Sequence, residues 1–444
     1  MTTITVGAGQ QFGTLGSALA ASHDGDTIAV QAGTYTDDFA TITHSVTIQG
    51  VGGLAHFVSD TLVPNGKAIL IDDAANLTIN GLEFSGAQVD DGNGAGIRYE
   101  AGNLTIQNSY FHDNENGILG GRVAGGNVAI TGSTFVHNGA GDGQTHGAYL
   151  GQINSLTVTN SFFQDQLGGS DVKSRAAFTD VEHNRFIDTD GSSDETNYQV
   201  DLPEGGNDTV AGNVVLKSGN PNNRAIIHFG GEIPNPVGSL IVHDNQFYSQ
   251  RDPTVLVLNQ SSGQPISIAN NGLSGTVSIP VDGNTSTATI SGSSQLSLAT
   301  APSTAILLPG SGGFSVAAGD PLAAQHAVES LLIDKALYLA QNPDVAAAGI
   351  DPVAHFEQYG WREGRAPDAL FDVSYYLSHN PDVAASGMDP LMHYALYGWQ
   401  EGRNPSAQFN GNGYLADNSD VKLAGMDPLQ HYLSFGLNEG RTGF

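Results

Sequence analysis

The eight residues LTINGLEF, Leu77 to Phe84, carry apolar side chains in alternation, then an Asn-Gly bend, then a closing aromatic. The pattern returns as LTIQNSYF from Leu104, VAITGSTF from Val128 and LTVTNSFF from Leu156, and more loosely as TDVEHNRF from Thr179 and LIVHDNQF from Leu240. Alternation with period two marks a half-buried strand. The Gly or Asn after it supplies the backbone freedom that a tight corner needs. Phe84, Phe111, Phe135, Phe163 and Phe186 recur every 23 to 28 residues. That spacing is one coil of a solenoid, in which each strand pairs with its equivalent in the next coil. Propeller blades would need about 40 residues each, and a jelly roll would need hairpin turns. The pattern predicts a mostly-β chain: a right-handed parallel β-helix over 1–300, a Ser/Gly/Pro/Ala linker over 301–330, and a small all-α repeat region over 331–444.

The last region has its own period. NPDVAAAGIDPVAHFEQYGWREGR from Asn342 returns from Asn380, and again, as NSDVKLAGMDPLQHYLSFGLNEGR, from Asn418, a repeat of 38 residues. Asn342 and Asp351 are placed to cap helices that begin at Pro343 and Pro352, and Gly349 and Gly360 suit helix ends. His355, His393 and His431 each adjoin an aromatic on an apolar face, which predicts packed structural histidines rather than metal ligands.

Composition narrows the function. The 444 residues hold 15 Lys+Arg against 45 Asp+Glu, for a net charge of −30, with 58 Gly and no Cys. Without Cys there are no disulfides, thiolate metal sites or Cys nucleophile. So acidic a chain repels nucleic acid and anionic lipid. No apolar run reaches the roughly 18 residues of a membrane span, so neither nucleic-acid partners nor membrane insertion are expected. The opening MTTITVGAGQQF has no basic flank and no apolar core, so no signal peptide is legible.

GTLGSALAASHDGDTIAVQAGTY, Gly13 to Tyr35, resembles the opening of the pectate-lyase-like superfamily of secreted polysaccharide enzymes: a short capping helix, Gly-Asp-Thr-Ile, and a first strand that ends Gly-Thr-Tyr. The resemblance covers roughly residues 1–300. It implies the β-helix and a secreted or cell-surface bacterial protein acting on polysaccharide. It leaves lyase, hydrolase, esterase, epimerase and adhesin open. The extended motif of the calcium-dependent pectate lyases is not recognisable here. The 38-residue repeats resemble units appended to bacterial secreted and surface proteins, which implies adhesion or display.

A second strand lies about seven residues before each LTI-type strand: GAGIRYE, NGILGG, HGAYLG, DVKSRA, YQVDLP and AIIHFG. Stacked in register, these make one sheet face. With Val172, Ser174 and Ala176 turned inward, Lys173 and Arg175 turn outward, as do Tyr149, Gln199 and Asp201, with His228 alongside. Arg98 and Arg224 belong to the same column or its edge. The expectation is a local positive floor for an anionic polysaccharide, with Arg98, Gln199, Asp201, Arg224 and His228 binding substrate.

A uronate polymer cleaved by β-elimination needs a cation on the carboxylate, a base and an acid. Arg175 suits the first role, Lys173 the second, and Tyr149 or His146 the third. The resemblance adds that lyases of the superfamily commonly use a Lys or Arg on this face as base. A glycoside hydrolase needs two carboxylates, and the column offers Asp201 alone. A C5-epimerase shares the lyase's first step, and a non-catalytic glycan-binding protein needs no acid–base pair. Asp188, Asp190, Asp194 and Glu195 read either as calcium ligands or as solvated turn acids; no organic cofactor is expected.

Overall fold

The computed structural model describes residues 2–188, 196–218, 223–232, 238–296, 307–308, 315–316 and most of 332–442. The chain divides into two compact units, Met1–Ser311 and Gly312–Phe444.

The first unit is a right-handed parallel β-solenoid of about ten turns. It opens with the helix Leu15–Ala21, capped by the Thr14 hydroxyl on Ser17 N–H, whose Leu15, Ala18 and Leu19 join the solenoid core. Each coil then runs round three faces. On the first face, ten strands from Ala40–Ile42 to Ile279–Gly283 form one parallel sheet. The LTI-type strands, such as Asn76–Asn80 and Asn103–Gln107, make the second face, and the Phe-bearing strands, such as Leu82–Ser85 and Tyr110–His112, make the third.

The repeated residues explain the corners and the core. Between the second and third faces the chain turns through left-handed backbone at Gly81, Asn108, Gly132 and Asn160 (φ +46° to +67°). Gly and Asn tolerate that conformation at least steric cost. The closing aromatics stack inside as one column, Tyr35–Phe57–Phe84–Phe111–Phe135–Phe163–Phe186, with centroids 4.7–5.8 Å apart. Burying each Phe is worth about 1.5–3 kcal/mol, and offset ring pairs add about 0.5–1.5.

Polar side chains make a second internal ladder beside that corner. Ser109, Ser133, Ser161, Asn184, Asn213 and Asn245 each donate a backbone N–H to the side-chain oxygen of the next member one coil on, the last being Asn271, at 2.8–3.2 Å. All seven are buried, so the ladder satisfies backbone donors that a corner would otherwise orphan.

The second unit is helical. Asp334, Asp372 and Asn410 cap the helices Lys335–Gln341, Val373–His379 and Gly411–Asp417. Tyr338, Tyr376 and Tyr414 share hydrogen bonds of 2.8–3.0 Å with Nδ1 of His355, His393 and His431. These histidines are therefore packed, hydrogen-bonded structural groups. Asn342, Asn380 and Asn418 accept from Arg365, Arg403 and Arg441, which ties the start of each repeat to its end. A Cβ at Gly360, Gly398 or Gly436 would lie 2.0–2.4 Å from a Tyr hydroxyl, so the shared glycine is steric. Asp389 and Asp427 cap the helices at Pro390 and Pro428; Asp351 and Gly349 lie outside the described residues.

Candidate active site on the ten-stranded face

The first face carries an outward row set by strict register. Arg98 pairs with Leu119, Leu119 with Tyr149, Tyr149 with Lys173, Lys173 with Asp201, and Asp201 with His228. Parallel strands lie about 4.8 Å apart, so Tyr149, Lys173, Asp201 and His228 occupy four successive rungs. Val172, Ser174 and Ala176 are buried between the outward Lys173 and Arg175.

Charge alternates along this row. Lys173 Nζ lies 3.1 Å from Asp201 Oδ2. The other oxygen of Asp201 is 2.7 Å from His228 Nδ1, and His228 Nε2 is 3.1 Å from Gln260 Oε1. Tyr198 stacks on the His228 ring at 4.9 Å. Burial opposes the charge of Asp201, yet the hydrogen bond from His228 and the ammonium of Lys173 together hold its carboxyl below the ordinary range. The arrangement is a connected chain of polar contacts, Lys173–Asp201–His228.

Arg175 sits beside the row. Its guanidinium donates to the Tyr149 hydroxyl and, through Nε and Nη2, to both oxygens of Glu232 at 2.8 Å. Glu204 approaches Arg175 Nε to 3.5 Å and accepts from Gln152 Nε2 at 2.9 and 3.1 Å. Both cations also face the Tyr149 ring, at 5.8 Å for Lys173 and 5.0 Å for Arg175.

Several expected site residues lie elsewhere. Gln199 does not reach the open face: at the corner before the strand Val200–Leu202 its side chain turns inward and donates to Asp188 Oδ2 at 2.7 Å. His146 is buried, accepts from Ser170 N–H at 2.9 Å, and meets Tyr149 edge-on. Burial first, and the Lys173 charge second, push its pKa down to about 3, so the ring is neutral. Arg98 lies 3.6 Å from Glu100, which also takes Lys67 at 2.6 Å, and Leu119 separates it from Tyr149. Arg224 pairs with Asp282 at the far edge. The cations thus do not make the unbroken positive floor that sequence suggests. Each has an acid beside it: Asp201 by register for Lys173, and Glu100, Glu204 with Glu232, and Asp282 from other positions for Arg98, Arg175 and Arg224. Asp188 is buried against Gln199, and Asp190, Asp194 and Glu195 lie outside the described residues.

Glu204 and Glu232 are additions that alternation could not reveal, because both stand in loops. Each lies two residues past the end of its strand, after Val200–Leu202 and Ala225–Gly230. Counted from the paired Asp201 and His228 they lie three and four residues on, so the sequence offered no common offset to find them by.

Residues 35–215 match the family model of a right handed beta helix region, and this segment carries most of the row. No curated protein sequence matches the chain. Among solved structures, the chain is similar to the pectate lyase Pel9A, with 15% identity, a TM-score of 0.46, and coverage of 68% of this chain and 82% of that one. It is also similar to an alginate lyase from Paenibacillus sp. (15%, TM-score 0.43, 65% and 99%). A third is the mannuronan C-5 epimerase A-module of Azotobacter vinelandii (15%, TM-score 0.32, 63% and 93%). At these identities the likeness is one of fold. Among the described residues, no helix is long and apolar enough to cross a membrane.

Proposed function

We propose that the ten-stranded face binds an anionic, uronate-containing polysaccharide and cleaves it by β-elimination, as a secreted or surface-displayed lyase. The observation that carries this reading is the four-rung row Tyr149–Lys173–Asp201–His228 with Arg175 beside it. Arg175 takes the substrate carboxylate in place of Glu232, its solvent-facing partner, and so acidifies the adjacent C–H. Lys173 hands its own proton along its contact with Asp201 to the Asp201–His228 pair and takes the substrate proton in its place. The C–H electron pair forms the new C=C bond as the glycosidic C–O bond breaks. Tyr149 gives its hydroxyl proton to the leaving oxygen, and the Arg175 guanidinium holds the negative charge left behind. His146, neutral and bonded to the backbone, positions the Tyr149 ring.

A second reading, hydrolysis, draws on Glu204 and Glu232, which flank Arg175 as a carboxylate pair. One digestion separates the readings. Incubation with alginate and pectate should raise ultraviolet absorbance and reducing ends together, and Lys173→Ala and Arg175→Ala should each lower that rate on the order of 10²–10⁴-fold without changing the circular dichroism. Reducing ends that rise with flat absorbance mean hydrolysis. Deuterium uptake at the carbon beside the carboxylate, without chain cleavage, means epimerisation. Tight binding with none of these leaves a glycan-binding protein.

A further inference from the structure

A different face of the solenoid holds a cluster that the glycan reading does not use. Three consecutive third-face strands, the later part of Val46–Val58, Leu82–Ser85 and Tyr110–His112, alternate inward aromatics with outward polar residues. Phe57, Phe84 and Phe111 stack within the core at 5.8 and 5.1 Å. On the outside His56 pairs in register with Glu83, and Ser85 with His112. Three potential ligand atoms converge there, His56 Nε2, Glu83 Oε1 and His112 Nε2, all within 4.8 Å of one another. Glu83 Oε1 is 3.0 Å from His112 Nε2 and 3.7 Å from His56 Nε2.

We infer that His56, Glu83 and His112 form a site for a divalent transition-metal ion, with Zn²⁺ the best fit. Zinc takes His nitrogen and carboxylate oxygen at about 2.0–2.2 Å, so tetrahedral ligand atoms stand about 3.4 Å apart. The two separations to Glu83 bracket that value. Two imidazoles favour a first-row transition ion over calcium, which prefers oxygen. The set has an outer partner as well. Asp113 Oδ2 lies 2.7 Å from His112 Nδ1, the carboxylate–histidine arrangement that fixes the ring and aims the opposite nitrogen at a metal. Asp113 is itself held in left-handed backbone (φ 54°) at the corner after this strand. The Ser85 hydroxyl, 2.7 Å from His56 Nε2, is a further oxygen at the rim. All three ligands are half-buried, which leaves a fourth position for water. Simple charge pairing also brings Glu83 between two histidines, so the test must read the metal directly.

The full chain is stripped with EDTA and titrated with Co²⁺, followed by its visible absorption, and with Zn²⁺ by calorimetry. The expected result is one saturable site with four-coordinate Co²⁺ bands, and a thermal midpoint that climbs with Zn²⁺ concentration because the ion staples three coils. His56→Gln and His112→Gln should each weaken binding about 100-fold or more, and Asp113→Asn about 10–100-fold. His243→Gln, elsewhere on the surface, should change nothing. If His112→Gln fails to fold, His56→Gln and the wild-type cobalt spectrum still decide. Absence of saturable binding, octahedral cobalt bands, or equal affinity in wild type and His56→Gln would overturn the assignment.

Discussion

Asp208 stands in the inward row that its neighbouring coils fill with Leu156, Thr179 and Leu240. Burial there raises its pKa to about 8, and burial likewise raises Asp72 to about 7. A carboxyl whose folded pKa lies above its unfolded value keeps its proton in the folded state after the unfolded chain has lost it. Stability from these groups is therefore complete below about pH 4 and declines as pH rises toward 8. The thermal midpoint should fall between pH 5 and pH 8, and Asp208→Asn should raise it at pH 8 while changing it little at pH 5. An unchanged pH slope in that variant would move the effect elsewhere. The candidate row was legible at this same scale. Strict alternation put Lys173, Tyr149 and Asp201 on one face, and the register aligns them, with Asp201 buried beneath its neighbours and Arg175 beside the row. Gln199 was misplaced because alternation fails at a corner, where the backbone turns its side chain inward. His56, Glu83 and His112 were passed over because they are 27 to 56 residues apart, and only the register of three coils unites them.

The polar ladder shows what a repeated strand–corner–strand unit requires. Asn213 Oδ1 accepts from Asn184 N–H at 2.8 Å and from its side-chain amide at 3.1 Å, while Asn213 Nδ2 donates to Val181 O and Asn245 Oδ1. Asn213→Ala orphans buried groups on two neighbouring coils, at about 1–3 kcal/mol for each unsatisfied group. The variant should unfold at markedly lower denaturant, with hydrogen exchange accelerated first in the strands Arg185–Ile187 and Val214–Lys217. Uniform acceleration along the solenoid would instead show that the ladder acts globally. The sequence pointed to this corner through the recurrent Gly/Asn bend. It did not reveal the ladder, because serine in three coils and asparagine in four do the same work. Strand positions were legible, since every second strand read from GAGIRYE to AIIHFG belongs to the ten-stranded sheet.

Coils that touch only their neighbours make the whole molecule divisible. A chain cut after Ser311 should unfold cooperatively and keep whatever glycan chemistry the full protein shows, because the stability of a solenoid is built from contacts between neighbouring coils. Aggregation of that truncated chain, seen by light scattering, would show that Gly312–Phe444 protects the solenoid. The net charge of −30 gives the intact molecule a field that repels polyanions, so moderate salt should favour encounter until the Lys173 and Arg175 charges are screened as well. The register has one last consequence. Side chains on the face can be spaced along the axis only in whole steps of one coil rise, so the protein is a ruler with fixed graduations. Lengthening a coil's loop leaves every graduation where it was. Gaining or losing an entire coil shifts Arg98 against Tyr149 by one full mark, and a solenoid of this kind changes the reach of its binding row by counting coils rather than by bending.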